Sequence, residues 1–155
     1  QRHGDGAGHD EGEARVPSAR GKAGAEAFAH HPDGHQRGDE ALQAVTGLLK
    51  SAAGPDDLVA RLGGDEFALW FEACGVGDAP ARAQGLLDAG RVLGHFSGDA
   101  KRPMGLSIGM AVFDPASGEI LEALIARADG AMYKVKHGGK GSYGMAPPAG
   151  AGAPL

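Results

Sequence analysis

The sequence predicts an α+β domain with a mostly antiparallel sheet flanked by helices. Three observations predict it: two short apolar runs joined through a Gly-Gly turn, one run of strict two-residue alternation, and three stretches with apolar residues at helical spacing. In chain order they read helix, hairpin, helix, strand, helix.

The first helix is predicted from Asp39 to about Ala52, because Leu42, Val45, Leu48 and Leu49 fall on one stripe and Gly54-Pro55 stops it. Leu58 to Leu62 and Phe67 to Phe71 are the hairpin strands, separated only by Gly63-Gly64-Asp65-Glu66, whose glycines supply the positive φ of a tight turn. A second helix is predicted from Asp78, as its N-cap, through Leu86, Leu87 and Leu93 to about Phe96. Gly85, Gly90 and Gly94 each weaken it by up to ~1 kcal/mol relative to Ala.

Met104 to Phe113 is the clearest strand: Leu106, Ile108, Met110 and Val112 alternate with Gly105, Ser107, Gly109 and Ala111. The bulky face is expected to enter a core, and the bare face suits close approach by a helix or another backbone. After an Asp114-Pro115 turn, a third helix is predicted from about Glu119 to His137, turning Leu121, Leu124, Ile125, Ala128 and Met132 inward and ending at Gly138-Gly139. A short strand around Ser142 to Met145 closes the sheet.

The 155 residues suit one domain, and a hydrophobic content of 42% with only 5% aromatic residues means a core built mostly from Leu, Val, Ile and Ala. A formal net charge of −5 argues against a surface that wraps nucleic acid or an anionic membrane. The single cysteine, Cys74, permits no internal disulfide; it is read as structural filler, and a reducing, cytoplasmic location is expected. No apolar run approaches the ~20 residues that span a bilayer. Composition divides the chain into three: residues 1–33, expected to be disordered or non-homologous, a folded domain over 34–145, and a flexible tail over 146–155.

The chemistry concentrates in Arg61-Leu62-Gly63-Gly64-Asp65-Glu66-Phe67. Gly63 and Gly64 let the backbone approach a phosphate with no Cβ in the way, and the adjacent carboxylates of Asp65 and Glu66 suit a hard cation shared with substrate phosphate oxygens. Alone, the segment reads equally well as a solvated hairpin tip. Lys136 and Lys140 are an i, i+4 pair at a helix end, which by itself reads as cations placed favourably at a helix C-terminus.

Gly63-Gly64-Asp65-Glu66-Phe67 resembles the signature of the GGDEF family of diguanylate cyclases, and it lies between two apolar strands as in that family. Gly34-His35-Gln36-Arg37-Gly38-Asp39 resembles the family's GHxxGD motif, and Leu106-Ser107-Ile108-Gly109-Met110-Ala111 its SIGVA strand. Ala128 to Lys136 resembles its ADxALYxAK helix end, with Gly139-Lys140 standing for the GR pair. The resemblance implies a ferredoxin-like nucleotidyl cyclase core acting as a cytoplasmic homodimer with Mg²⁺ or Mn²⁺. The implied reaction joins two GTP into cyclic di-GMP with release of pyrophosphate. It implies catalytic and metal-binding roles for Asp65 and Glu66, guanine reading by Asp39, and terminal-phosphate binding by Lys136 and Lys140. It also implies an upstream sensory domain, and no nucleic-acid or membrane contact from this segment.

The resemblance breaks before Gly34. The family opens with a hydrophobic strand bearing a metal-binding Asp, followed by an Asn that contacts guanine; here no apolar strand stands upstream and the chain contains no Asn. Counting back from Gly34, the Asn position falls on His30, and Asp33 is at most a displaced relic. A missing central strand would leave two exposed strand edges. This is consistent with a misread or truncated gene that does not fold stably, or with a degenerate module that binds nucleotide weakly or not at all, a catalytically inactive domain serving GTP binding, dimerisation or regulation. His3, His9, His30, His31 and His35 match no compact ligand spacing. The family's inhibitory product site is an RxxD element; the segment here is Gly54-Pro55-Asp56-Asp57, without its Arg, so product inhibition through it is not expected.

Overall fold

The computed structural model describes residues 20–25, 34–97, 103–139 and 141–151. Its elements are β1 (Arg20–Ala25), α1 (Gly34–Ala52), β2 (Leu58–Gly63), β3 (Glu66–Trp70), α2 (Ala79–Gly90), β4 (Leu106–Ala111), α3 (Leu121–Gly138) and β5 (Tyr143–Met145). Short 3₁₀ segments occupy Arg91–Phe96 and Pro115–Ser117. The five strands form one sheet in the order β2-β3-β1-β4-β5, in which only the β4–β5 pair is parallel. The succession β1-α1-β2-β3-α2-β4 with β1 beside both β3 and β4 is the ferredoxin-like arrangement, to which α3 and β5 are appended. The expected α+β architecture is therefore present.

One expectation is corrected. The sequence reading found no first strand, yet β1 lies at the centre of the sheet, its residues paired from Arg20 opposite Trp70 and Ala111 to Gly24 opposite Glu66 and Ser107. A strand flanked on both sides is held by its backbone, since β3 and β4 each present an edge of N–H and C=O groups that need partners. Such a segment needs no alternating apolar pattern, and Arg-Gly-Lys-Ala-Gly-Ala has none. Residues 1–19 and 26–33, with His3, His9, His30 and His31, and residues 152–155 of the tail lie outside the described residues.

The sheet separates two apolar layers. On one face α1 contributes Ala41, Val45 and Leu49, α2 contributes Ala79, Ala83 and Leu86, and the sheet contributes Phe67, Leu69, Leu106, Ile108 and Met110. Cys74 is buried in this layer, as filler; burial pushes its thiol pKa up, against a smaller lowering by Arg82. On the other face α3 lies against the sheet through Leu124, Ala128 and Ala131, with Ala111, Trp70 and Phe113. This second layer is thin because its helix touches bare backbone. A Cβ on Gly109 would fall on the carbonyl oxygen of Ala128 and the backbone nitrogen of Met132. The bare face predicted for this strand is thus filled by a helix.

Two helix details differ from expectation. α1 starts at Gly34 rather than Asp39, because Gly-His-Gln-Arg-Gly carries no apolar residue for a periodicity to register. Asp78 precedes α2 at φ −90° and ψ −25°, and its side chain makes no capping bond; Pro80 in the first turn starts the helix instead. That helix ends at Gly90 and the chain tightens into the 3₁₀ segment carrying Leu93, so the predicted single helix to Phe96 is two pieces.

Candidate active site

Strand register decides which residues share one end of the sheet. Gly63 pairs with Glu66, Glu66 with Gly24, and Gly24 with Ser107, so a row of four positions crosses the sheet at the β2–β3 turn. β4 leaves this end and α3 returns to it, so Lys136, in the last turn of α3, is carried back toward the same end. The segment after α3 re-enters there, where the Ile108 N–H donates to the Ser142 carbonyl at 3.0 Å. Lys140 lies outside the described residues.

The turn itself is specified by glycine. Gly64 sits at φ 51°, left-handed backbone that a side chain would strain, and a Cβ there would meet nothing within 4 Å. The open space beside it leaves room for an approaching ligand. Asp65 follows in the turn and Glu66 opens β3, both half-buried. Arg61 braces the turn from the preceding strand: its Nε donates to the Gly64 carbonyl at 2.9 Å. No role for Arg61 follows from the sequence, in which its position two residues before the glycines is the available signal.

Arg61 also forms one wall of a groove of about 460 Å³ whose other wall is α1, with Asp39, Leu42, Gln43 and Lys50 along it. Positions 39, 42, 43, 46, 47 and 50 are one face of a helix by 3.6-residue periodicity. The groove therefore runs along α1, with the Asp39 carboxylate and the Lys50 cation separated along the helix and Arg61 in the facing wall. The structure brings Asp39 and the signature turn together through Arg61, which touches both the groove and the turn.

The donor chemistry at the tip fits a hard cation held partly by substrate: Asp65 and Glu66 supply carboxylate oxygens, and Mg²⁺ characteristically takes one or two carboxylates with phosphate oxygens and water. β1 adds no carboxylate, since Arg-Gly-Lys-Ala-Gly-Ala has neither Asp nor Glu. Among the described residues, no group of three His, Cys, Asp or Glu is arranged to hold a metal by itself.

At the opposite end of the sheet stands a different cluster. Arg127 donates from Nε and Nη2 to the Glu119 carboxylate at 2.6 and 2.7 Å, and from Nη2 and Nη1 to the carbonyls of Val112 and Pro147, each at 2.8 Å. The hydrogen bond from Arg127 holds the Glu119 carboxyl below its ordinary value, and the same bond raises Arg127. This cluster ties α3 to the ends of β4 and β5, so its role is structural. Asp57 is likewise committed inside the fold. It accepts from the N–H groups of Gly54 and Glu72, both at 2.8 Å, and lies 3.5 Å from Arg82.

Comparison with known proteins agrees with this geometry. A profile of the family described as "Diguanylate cyclase, GGDEF domain" matches residues 32–142. An uncharacterized signaling protein of Caulobacter vibrioides is 38% identical over 120 residues, covering 74% of this chain and 14% of the relative. The bifunctional diguanylate cyclase/cyclic di-GMP phosphodiesterase MucR of Pseudomonas aeruginosa is 36% identical over 110 residues, covering 71% of this chain and 16% of the relative. The chain thus spans about a sixth or less of these two proteins. Among solved structures, the GGDEF domain of TpbB (YfiN) from Pseudomonas aeruginosa superposes with a TM-score of 0.72 at 31% identity, over 86% of this chain and 84% of that one. An EAL/GGDEF domain protein from M. capsulatus gives a TM-score of 0.70 at 32% identity, over 85% and 86%. With its signature on a β-hairpin at one end of a ferredoxin-like sheet, this chain belongs to the GGDEF domain family of diguanylate cyclases.

Proposed function

We propose that this domain condenses two GTP into cyclic di-GMP and two pyrophosphates, each half of a homodimer presenting one GTP to the other. The observation that carries the reading is the intact Gly63-Gly64-Asp65-Glu66 turn, with Gly64 in left-handed backbone and Arg61 bracing it beside the Asp39 groove. In each of two equivalent steps the 3′-hydroxyl oxygen of one GTP bonds to the α-phosphorus of the other. The bond from that phosphorus to the departing pyrophosphate breaks, and the hydroxyl proton is lost to a base. Asp65 and Glu66 would hold Mg²⁺ or Mn²⁺, which when bound would supply Lewis acidity to the phosphate and favour loss of the hydroxyl proton. The bare turn at Gly63 and Gly64 lets backbone N–H groups face the phosphates. Asp39 accepts from the N1–H and 2-amino groups that guanine offers and adenine lacks. Lys136 and Lys140 neutralise the terminal phosphates. The setting is cytoplasmic, where GTP is made, with an upstream sensory domain as the partner that controls dimerisation. Among the described residues no helix is long and apolar enough to cross a membrane.

One observation favours a second reading. β1 runs beside Glu66 without a carboxylate, so the tip has two acidic side chains where a two-metal centre would ask for more. On that reading the domain binds GTP and dimerises without turnover. The discriminating experiment incubates concentrated protein with GTP and Mg²⁺ or Mn²⁺ and separates the nucleotides by chromatography. Cyclic di-GMP that disappears in Asp65→Ala supports the cyclase. Its absence, from protein that circular dichroism shows to be folded, refutes turnover and leaves the binding module.

A further inference from the structure

The groove along α1 contains more recognition chemistry than Asp39 alone. Gln43 lies one helical turn beyond Asp39 on the same face, exposed, in the wall of the same cavity. Among the described residues neither side chain has a hydrogen-bond partner, whereas the nearby Thr46 hydroxyl is already spent on the Leu42 carbonyl at 2.8 Å. Leu42, half-buried between them, provides an apolar floor. Lys50 is seven residues further along, about 10 Å of helix rise from Gln43, and belongs to the far end of the groove. Arg61 has its Nε engaged by Gly64.

A carboxylate and a carboxamide one turn apart form an acceptor–donor pair. The guanine edge presents the complement: two adjacent donors, N1–H and the 2-amino group, then the O6 acceptor. Asp39 can take the two donors but has nothing to offer O6 while ionised, and a second negative oxygen near O6 would repel it. The chain has no Asn to supply that donor. We propose that Gln43 is a specificity-determining residue of this site, its amide nitrogen donating to guanine O6 while Asp39 accepts from N1–H and the 2-amino group. This rests on the reading of the groove as a guanine site. It extends that reading by assigning the O6 contact to a helix residue.

The test is a cycle between residue and ligand. Affinities of wild type and Gln43→Ala are measured by titration calorimetry with Mg²⁺ and each of GTP, ATP and 6-thioguanosine triphosphate, which keeps N1–H and the 2-amino group and replaces O6 by a weakly accepting sulfur. Gln43→Ala is an exposed mid-helix change to the best helix former, so the fold is retained, and circular dichroism checks this. The expected result is a loss of about three- to tenfold in GTP affinity, with a clearly smaller loss for 6-thioguanosine triphosphate. Gln43→Glu should weaken GTP more than Gln43→Ala, because a carboxylate then faces O6. Wild type that prefers GTP to ATP, with Gln43→Ala weakening GTP and 6-thioguanosine triphosphate alike or neither, overturns the inference and leaves the guanine reading standing. Wild type that does not distinguish GTP from ATP overturns both.

Discussion

Replacing Gly109 by Ala adds one methyl group where, among the described glycines, a Cβ would meet the closest contacts. The new Cβ would fall on the Ala128 carbonyl oxygen and the Met132 backbone nitrogen, and 2.7 Å from the Met132 Cβ. Two of these three atoms are backbone, so no rotamer change relieves the clash. Restoring a carbon–carbon separation of ~3.5 Å requires α3 to lift from β4 by about an ångström. Lifting would loosen the contacts around Leu124, Ala128 and Ala131, and a gap of that order forfeits roughly a quarter to a half of each dispersion well. Overpacking of a closed core costs about 1–3 kcal/mol, and the rigid neighbours put this substitution at about 3 kcal/mol. For a domain of this size that lowers Tm by roughly 6–12 °C. Gly130→Ala is the matched control: it lies on the same helix, exposed, and a Cβ there meets nothing within 4 Å. It should raise stability by about 0.5–1 kcal/mol through the lower backbone entropy of alanine. Urea melts followed by circular dichroism at the helical band compare the three proteins. A Gly109→Ala midpoint within about 0.5 kcal/mol of wild type, a change typical of exposed sites, would refute the close-approach argument.

Three shorter tests bear on other parts of the molecule. Glu66→Gln keeps the shape of the turn and removes one negative charge, so it should abolish cyclic di-GMP formation while leaving the melting curve within about 0.5 kcal/mol of wild type. Retained turnover would deny Glu66 its role. Glu119 has its pKa lowered by the hydrogen bond from Arg127, so the stability from this pair is complete above the unfolded carboxyl value and is lost as pH falls through the folded one. Glu119→Gln should therefore cost about 1–3 kcal/mol at pH 7, with the gap to wild type closing in acid below the ordinary value of 4.5; a pH-independent gap contradicts the assignment. Cyclic di-GMP should not bind through Asp57, whose oxygens already accept from Gly54 and Glu72 and face Arg82. Tight binding in calorimetry that disappears in Asp57→Ala would show otherwise.

Much of the fold was readable because side chains announce it. The alternation from Leu106 to Ala111 gave both faces of β4, and its bare face anticipated α3 lying on Gly109. The hairpin was readable because only glycine suits the backbone that Gly64 adopts. The limits of the helices were less readable for opposite reasons. α1 gains its first turn from residues with no apolar pattern, and α2 breaks at Gly90 although Leu93 continues into the core. Asp78 has the composition of a cap but sits in helical backbone, where its carboxylate does not turn back to the free N–H groups.

The site divides along the same line. Asp39, Asp65, Glu66 and Lys136 stand out as candidates in the sequence because each proposed role belongs to a side chain at a motif position. β1 was not, because its part in the sheet is made by backbone groups, and its register against Glu66 and Ser107 is visible only once the strands are assembled. The same register makes the weakness of the site concrete. The residue opposite Glu66 is Gly24, so the strand that completes the sheet contributes hydrogen bonds and no charge. Fold and chemistry therefore come apart in this strand: Arg20–Ala25 pairs with β3 and β4 through backbone N–H and C=O groups, but at the row of Gly63, Glu66, Gly24 and Ser107 it brings no carboxylate to the tip. Backbone pairing places β1 in the family fold between two apolar layers, while the proposed turnover rests on Asp65 and Glu66, with the substrate's own phosphates, at that end of the sheet.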